Sequence, residues 1–541
     1  MAIKKFAQNK KINDMKKYKN LNFASTVAIV LVIVIGISCM KKPVRYFIPS
    51  QMFTPVSISV TTTDTSVTIT WPPSINTETT GQKYTVQISA DSTFTTPPAL
   101  SLIVNLPKVT VTDDTLKDRT AYYVRLQTNA TATSAASNWI SNNPSSFKLI
   151  GEQLFKPLTS GNIVDNAVIL NWIPTPGITQ IVLTPGTGTV ITVPISSATN
   201  AAGADTVYGL TANTSYTAIL YQGNKTVGVL NFVTAASVSG SNIIDLRGNT
   251  DPNSLIDTLP MIPSGSVVLL QPGMIYDAPA TYIFTQNVTI ETGLGFGTPA
   301  IISIAANFDA SGTIDSLNFK NLIFKANGSG YVMNVSNVVN ITSINFTNCT
   351  TQGNFTNSFV RLKKARDVVT NLNITNCIID SVGVTSKYAV IYANASSTAV
   401  FTNINVQNST FYYIYDFITQ TGVKTANALN VTNCTFNNFI NQSGYFVNYS
   451  ATFPPTVNFT NDIFGSTLDP TTANGIKSTS NAVFNGCYQT SDCVFFADPL
   501  VGPSSYAGTS YNLFTDPDNG NFSFKDATFS GKGTAGDPRW W

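Results

Sequence analysis

One five-residue phrase returns six times between Leu317 and Asn461, and it restricts the chain more than any other feature. In order it reads Leu317-Asn-Phe-Lys-Asn321, Ile344-Asn-Phe-Thr-Asn348, Leu372-Asn-Ile-Thr-Asn376, Ile404-Asn-Val-Gln-Asn408, Leu429-Asn-Val-Thr-Asn433 and Val457-Asn-Phe-Thr-Asn461. The closing asparagines recur every 25 to 32 residues. That spacing marks a repeat architecture whose units bury apolar faces against their neighbours. Within each phrase, apolar and polar residues alternate with the two-residue period of a strand. A second apolar run follows in each unit: Tyr331-Val-Met, Phe359-Val-Arg-Leu, Ala389-Val-Ile-Tyr, Asp416-Phe-Ile-Thr and Tyr445-Phe-Val-Asn. Two or three strands per turn of chain, stacked in register, predict a right-handed parallel β-helix. Equivalent side chains then lie about 4.8 Å apart, and an inward asparagine at each corner is expected to pass amide hydrogen bonds from rung to rung. After the last five copies the next residue is Cys349, Cys377, Ser409, Cys434 or Asp462, mostly small and compatible with a tight bend. Asn-x-Thr is also a glycosylation acceptor, but that role does not set the phase of the flanking apolar residues.

Composition agrees with an all-β chain. Charged residues are 11% of the total, below the quarter typical of soluble proteins, and helix-period segments are absent beyond the N-terminus. Histidine is absent altogether, which excludes histidine bases, histidine triads and histidine metal ligands. No Cys-x-x-Cys pair or other metal-ligand spacing occurs, so no metal site is expected.

Residues 1–39 read as a targeting segment: seven lysines from Lys4 to Lys19, an apolar run from Phe23 to Ile37, then Ser38-Cys39. The run is short for a membrane span. A small residue before a cysteine at its end resembles a lipobox, which makes Cys39 the lipidated first residue of the mature chain; Met15 is an alternative start. Removing residues 1–38, with seven lysines and one aspartate, changes the formal charge from +3 to −3. A broad nucleic-acid surface is therefore not expected. Cys349, Cys377 and Cys434 read as buried corner residues, while Cys487 and Cys493 are close enough for a loop-closing disulfide in an exported chain.

Residues 40–51 form a tether. From 52 to 148, Ser66-Val-Thr-Ile-Thr-Trp71, Tyr84-Thr-Val-Gln-Ile-Ser, the segment Leu116 to Tyr122 and Ser137-Asn-Trp139 resemble the strands and tyrosine corner of a fibronectin type III domain. Residues 152–236 repeat the scheme with Trp172 and Tyr216, and both Trp71 and Trp172 are expected in sandwich cores. From 243 to 495, Val267 to Tyr276 and Val288 to Gly293 resemble the opening coils of pectate-lyase-like β-helices, ahead of the repeats. Residues 496–541, ending in Gly536-Asp-Pro-Arg-Trp540-Trp541, are expected to cap the solenoid. The whole arrangement resembles surface lipoproteins of Bacteroidetes that carry two fibronectin type III domains and a β-helix of unknown function. That resemblance implies an outer-membrane lipid anchor, glycan-uptake proteins as partners, and work on pectin or other plant polysaccharides.

The sharpest candidate for chemistry is Arg361-Leu-Lys363-Lys364-Ala-Arg366, which holds four of the ten Lys and Arg between residues 243 and 500. Strand alternation puts Arg361 and Lys363 on the outer face, with Lys387, Tyr388 and Tyr392 on one neighbouring coil and Asn334 on the other. Tyrosine rings suit sugar faces, and guanidinium forks suit uronate carboxylates. One reading is a groove binding an acidic polysaccharide through Arg361, Lys363, Lys387, Tyr388 and Tyr392, without a cofactor. A second is a polysaccharide lyase in which Lys363, Lys387 or Arg361 removes the proton beside a uronate carboxyl, with Ca2+ as a possible cofactor. Against it, Gln352, Asp380, Tyr412, Asn437 and Gly465 follow the ladder asparagines where a calcium-dependent relative would gather carboxylates. A third reading is a structural or adhesive surface protein.

Overall fold

In the computed structural model, residues 50–75, 81–240, 242–393, 398–449, 453–477 and 482–541 are described. The proposed signal segment and Cys39 lie outside them. The chain divides into two compact units between Glu152 and Gln153. Nearly all regular structure is strand.

The first unit is a fibronectin type III-like sandwich. Ser59–Thr62, Ser66–Thr70 and Lys108–Thr112 form one antiparallel sheet, and Leu100–Val104, Tyr84–Ser89, Tyr123–Thr128 and Ile140–Ser141 form the other in that spatial order. Alternate residues face inward, so Val67, Ile69, Val86, Ile88, Val124 and Leu126 meet in the core with Trp71. The Tyr122 hydroxyl accepts from the backbone N–H of Lys117 at 3.1 Å, closing the tyrosine corner.

The second unit begins with a similar sandwich, in which Trp172 is fully buried and the Tyr216 hydroxyl accepts from Thr211 N at 2.9 Å. A parallel β-helix of about nine turns follows. Among the described residues its three sheets contain ten, ten and eight strands, every neighbouring pair parallel. A third use of the same clamp starts it, with the Tyr276 hydroxyl accepting from Gln271 N at 2.8 Å across the Pro-Gly turn. Arg247 joins sandwich to solenoid by reaching Asp165 at 2.8 Å and Asp245 at 2.8 Å.

The recurring phrase forms the first sheet, in strands such as Val339–Thr347, Val368–Thr375 and Val400–Gln407. Its apolar residues point inward and stack on their own copies: the rings of Phe319 and Phe346 lie 5.0 Å apart, and those of Phe459 and Phe484 4.9 Å apart. Each buried phenylalanine contributes roughly 1.5–3 kcal/mol from area removed from water.

Two expectations need correction. The closing asparagines do not point inward. Asn321, Asn348, Asn376, Asn408, Asn433 and Asn461 have φ between 51° and 57°, the left-handed corner that asparagine tolerates, and their side chains are exposed or half-buried. They do pass amide bonds between rungs, but only in pairs, from Asn376 to Asn348 and from Asn433 to Asn408; the continuous amide ladder belongs to the second residue of the phrase, on the outer face. Asn345, Asn373, Asn405, Asn430 and Asn458 each donate to the equivalent asparagine one rung earlier at 2.7 to 3.2 Å. Nor do Cys487 and Cys493 form a disulfide: both are buried free thiols. Cys487 continues the corner column as the rung after Asp462, and its Sγ accepts from Asp462 N at 3.4 Å.

The column after the asparagines has a job beyond small size. Cys349 N donates to Cys377 Sγ at 3.4 Å, Cys377 N to Ser409 Oγ at 3.0 Å, and Cys434 N to Asp462 Oδ1 at 2.7 Å. Each side chain therefore satisfies a buried N–H one rung back. Cysteine, serine and aspartate share this acceptor role.

Beyond the repeats, Tyr488–Gln489 and Ser504–Ser505 add the last strands of the second sheet. A hairpin, Phe514–Asp516 with Asn521–Phe524, then packs Leu513, Phe514 and Phe522 around Ile463. The C-terminal segment runs back along that sheet's outer side. Gly536 N bonds to Asn461 O at 2.8 Å, Asp537 N to Thr435 Oγ1 at 3.0 Å, Trp540 Nε1 to Thr410 Oγ1 at 2.8 Å and Arg539 to Asn376 O at 2.7 Å. It thereby fastens four successive rungs.

Candidate functional site

The third sheet carries the second apolar run of each repeat, in Met333–Val335, Val360–Leu362, Ala389–Ala393, Asp416–Gln420, Tyr445–Asn448 and Asn474–Lys477. Parallel register places Asn334, Arg361, Tyr392, Thr419, Asn448 and Lys477 in one column. The adjacent column of Met333, Val360, Ile391, Ile418, Val447 and Ile476 is buried in the core. Alternation therefore turns Arg361 outward, as its strand pattern predicts.

Arg361 sits among three tyrosine rings. Its guanidinium carbon is 5.6 Å from the centroid of Tyr331, 5.5 Å from that of Tyr388 and 5.7 Å from that of Tyr392. Nη1 also donates to the Tyr331 hydroxyl at 2.7 Å. The rings brace one another edge to face, Tyr331 with Tyr388 at 6.1 Å and Tyr388 with Tyr392 at 5.0 Å. Burial pushes the Tyr331 hydroxyl above its ordinary pKa, and the Arg361 charge opposes that shift. The phenol is thus held as a neutral hydroxyl beside a fixed cation.

Local backbone chemistry sets these rings. Tyr331 follows a turn in which the Ser329 hydroxyl donates to Tyr331 O at 2.7 Å. Tyr388 approaches Gly383 so closely that a Cβ there would lie 1.9 Å from the Tyr388 carbonyl oxygen, and Gly383 has φ of 77°. Only glycine fits both conditions. Beside the guanidinium, Arg361 Nε and Asn334 Oδ1 are buried without a hydrogen-bond partner among the described residues, and so is Asn448 Oδ1 farther along the column. Buried polar atoms of this kind call for a hydroxyl-bearing ligand or water.

The structure brings together Arg361, Tyr388 and Tyr392 of the expected set and adds Tyr331. Tyr331 is visible in the sequence as the first residue of its apolar run, where it reads as an ordinary strand residue. Lys363 lies just past the strand and Lys387 in the turn before Tyr388; both are exposed, and neither joins the ring cluster. The basic run is in fact divided. Lys364 N donates to Asp367 Oδ2 at 2.7 Å, and Arg366 turns away to line a shallow groove of about 520 Å3 with Lys424, Thr313 and Asn340. Asp367 lies buried at that turn, its carboxyl pushed up to about 6 by burial.

Farther up the sheet, Asp416 is buried against Gly444, and burial raises its pKa well above its ordinary value. Lys477 stands 5.3 Å over the Tyr445 ring. The other aromatic group is committed elsewhere: Tyr412 packs on Phe522 at 5.5 Å, Tyr413 donates to Asp518 at 3.2 Å, and Tyr449 is buried. Among the described residues, no three His, Cys, Asp or Glu side chains gather where a metal ion would be held.

Residues 429–540 match the family described as Domain of unknown function (DUF5123), which covers the last repeats and the C-terminal segment. No curated protein matches the chain. Among solved structures, the chain is similar to the FN1-FN3 domains of chicken CNTN1, at 13% identity and TM-score 0.15, over 35% of this chain and 68% of that one. It is likewise similar to a two-domain fibronectin type III segment from chicken tenascin, at 12% identity and TM-score 0.19, over 34% of this chain and 99% of that one. The central fibronectin-III array of RIM-binding protein is similar at 15% identity and TM-score 0.13, over 35% of this chain and 64% of that one.

Proposed function

We propose that the outer face of the third sheet binds an acidic polysaccharide, with uronate-rich plant glycans such as pectin as the ligand class. The observation that carries this reading is the Arg361 guanidinium seated among Tyr331, Tyr388 and Tyr392. Ring faces and edges accept sugar C–H surfaces, while a fixed planar cation suits a carboxylate. Holding the cation in place before the ligand arrives reduces the ordering cost of binding. Lys363 and Lys387 flank the cluster as exposed positive charges that favour a polyanion without fixing its pose.

Binding is preferred over β-elimination because the two lysines assigned base work stand outside the ring cluster, and Arg361 is already engaged with Tyr331. Lipidation at Cys39, outer-membrane display and partnership with glycan-uptake proteins belong to the same proposal; loss of labelled palmitate in Cys39→Ser tests the anchor. The decisive experiment incubates the purified chain with polygalacturonate and rhamnogalacturonan, with and without calcium. Retention on a glycan gel without unsaturated product supports binding. Ultraviolet-absorbing unsaturated product would assign the lyase instead, and no interaction with either polymer would leave the structural role.

A further inference from the structure

A second caged arginine lies in the first unit, on the outer face of the four-stranded sheet. Strand Tyr123–Thr128 turns Val124 and Leu126 into the core and Tyr123, Arg125 and Gln127 outward. The Arg125 guanidinium carbon is 4.6 Å from the ring centroid of Phe94 and 4.4 Å from that of Trp139. Its Nε donates to Gln87 Oε1 at 2.8 Å, and Gln87 Nε2 in turn donates to Ser101 Oγ at 3.3 Å. This fixes the plane of the fork from its inner edge. Trp139 is 37% exposed, and the stack contributes nothing to the sandwich core beneath it.

The loop that presents Phe94 is built for that task. Phe94 has φ of 54°, a costly conformation for an aromatic residue. The Asp91 carboxylate holds the loop by accepting from Thr93 N at 2.9 Å, Thr93 Oγ1 at 2.6 Å, Thr95 N at 2.7 Å, Thr95 Oγ1 at 2.7 Å and Thr96 N at 3.0 Å. A strained aromatic residue and an exposed indole are thus arranged around one cation away from the core. The plan matches that of Arg361 on the solenoid, reached on an unrelated fold.

We infer that Arg125, Phe94 and Trp139 form a second binding site for uronate-bearing glycan, with the guanidinium edge taking a carboxylate and the outer indole face taking a sugar ring. The inference rests on the glycan-binding reading of the third sheet for its ligand class, but on separate residues. Acidic glycan is the occupant because the site pairs a cation with aromatic faces: among the described residues the Arg125 guanidinium has a neutral amide, and no carboxylate, as its hydrogen-bond partner.

Isothermal titration of the full chain with trigalacturonate tests it by site count. Two ligands per chain are expected for the natural protein, and one each for Arg125→Ala, Trp139→Ala and Arg361→Ala. Arg125→Gln provides the same test with the side-chain bulk retained, should either truncation unfold the sandwich. Quenching of tryptophan emission by the ligand should fall in Trp139→Ala. One site per chain, lost in Arg361→Ala and kept in Arg125→Gln, overturns this inference and leaves the third-sheet reading intact. One site lost in Arg125→Gln and kept in Arg361→Ala does the reverse. No binding at all overturns both.

Discussion

The backbone N–H of Cys434 ends on the carboxylate of Asp462, one rung farther on, at 2.7 Å. Burial raises the Asp462 pKa well above its ordinary value, so the group that satisfies Cys434 is itself costly to ionise. Asp462→Asn keeps an acceptor of the same shape and removes the titrating group. It should match or exceed the natural chain in melting temperature at neutral pH. Asp462→Ala leaves a buried N–H without a partner and should cost about 1–3 kcal/mol in urea unfolding. Equal loss in both variants would mean that the acceptor is not what the position supplies.

The outer asparagine ladder makes a graded prediction. Asn405 donates to Asn373 at 2.9 Å and accepts from Asn430 at 3.1 Å, so Asn405→Ala removes two links. Asn458→Ala removes its 3.2 Å bond to Asn430, at the far end of the run. These bonds are half-exposed, and about 0.5–1.5 kcal/mol per link is expected. The central variant should therefore lose more stability than the terminal one, by differential scanning calorimetry.

Repeat length, strand phase and sandwich pattern were legible because alternation and the period of the phrase are properties of the chain itself. The direction of each asparagine was not. Asn345 and Asn348 are three residues apart and chemically identical, yet one lies in the strand and the other in a left-handed corner. The roles separate only when hydrogen bonds between rungs are known. The same limit applies to Cys487, whose spacing from Cys493 allows a bridge, whereas the thiol is free and accepts a bond in the corner column. Arg361, Tyr388 and Tyr392 could be grouped by register, whereas Tyr331 could not, since its ring reaches Arg361 across a rung. Lys364 and Arg366 looked like part of one patch because the turn after Leu362 leaves no mark on the charge pattern.

At the third sheet, shape and charge can be separated by substitution. Arg361→Lys keeps the positive charge but loses the planar fork that lies among the rings. Arg361→Lys and Arg361→Ala should both weaken retention on polygalacturonate by roughly tenfold or more, the range of a central arginine anchor. Lys363→Ala should change salt dependence more than affinity at fixed salt. Full retention by Arg361→Lys would reduce the site to a simple point charge.

Asp367 gives the stability curve a defined slope. Its folded pKa is about 6 against an ordinary 3.8, so between those values the folded chain holds more protons than the unfolded one. Stability from this group is therefore greatest below about pH 4 and declines as pH rises toward 6. Asp367→Asn should flatten that part of the melting-temperature profile and raise stability above pH 6. An unchanged slope between pH 4 and 6 would remove Asp367 as its source.

Arg247 is the last position where a single change should separate parts of the molecule. Its Nη1 and Nη2 meet Asp165 at 2.8 and 3.1 Å, in a bidentate pair from which water is nearly excluded on the Asp165 side. Nη1 also donates to Leu294 O at 2.9 Å, so the same side chain grips sandwich and solenoid together. Removing the cation leaves a buried carboxylate uncompensated, a change that typically costs about 3–5 kcal/mol. Arg247→Ala should then expose the connection near residues 236–243 to limited proteolysis and split a shared thermal transition into two. Replacing both partners, Arg247→Met with Asp165→Leu, removes the stranded charge and should restore most of the protection. If the double variant is cleaved as fast as the single one, hydrogen bonding by Arg247 itself, and not neutralisation of Asp165, holds the two parts together.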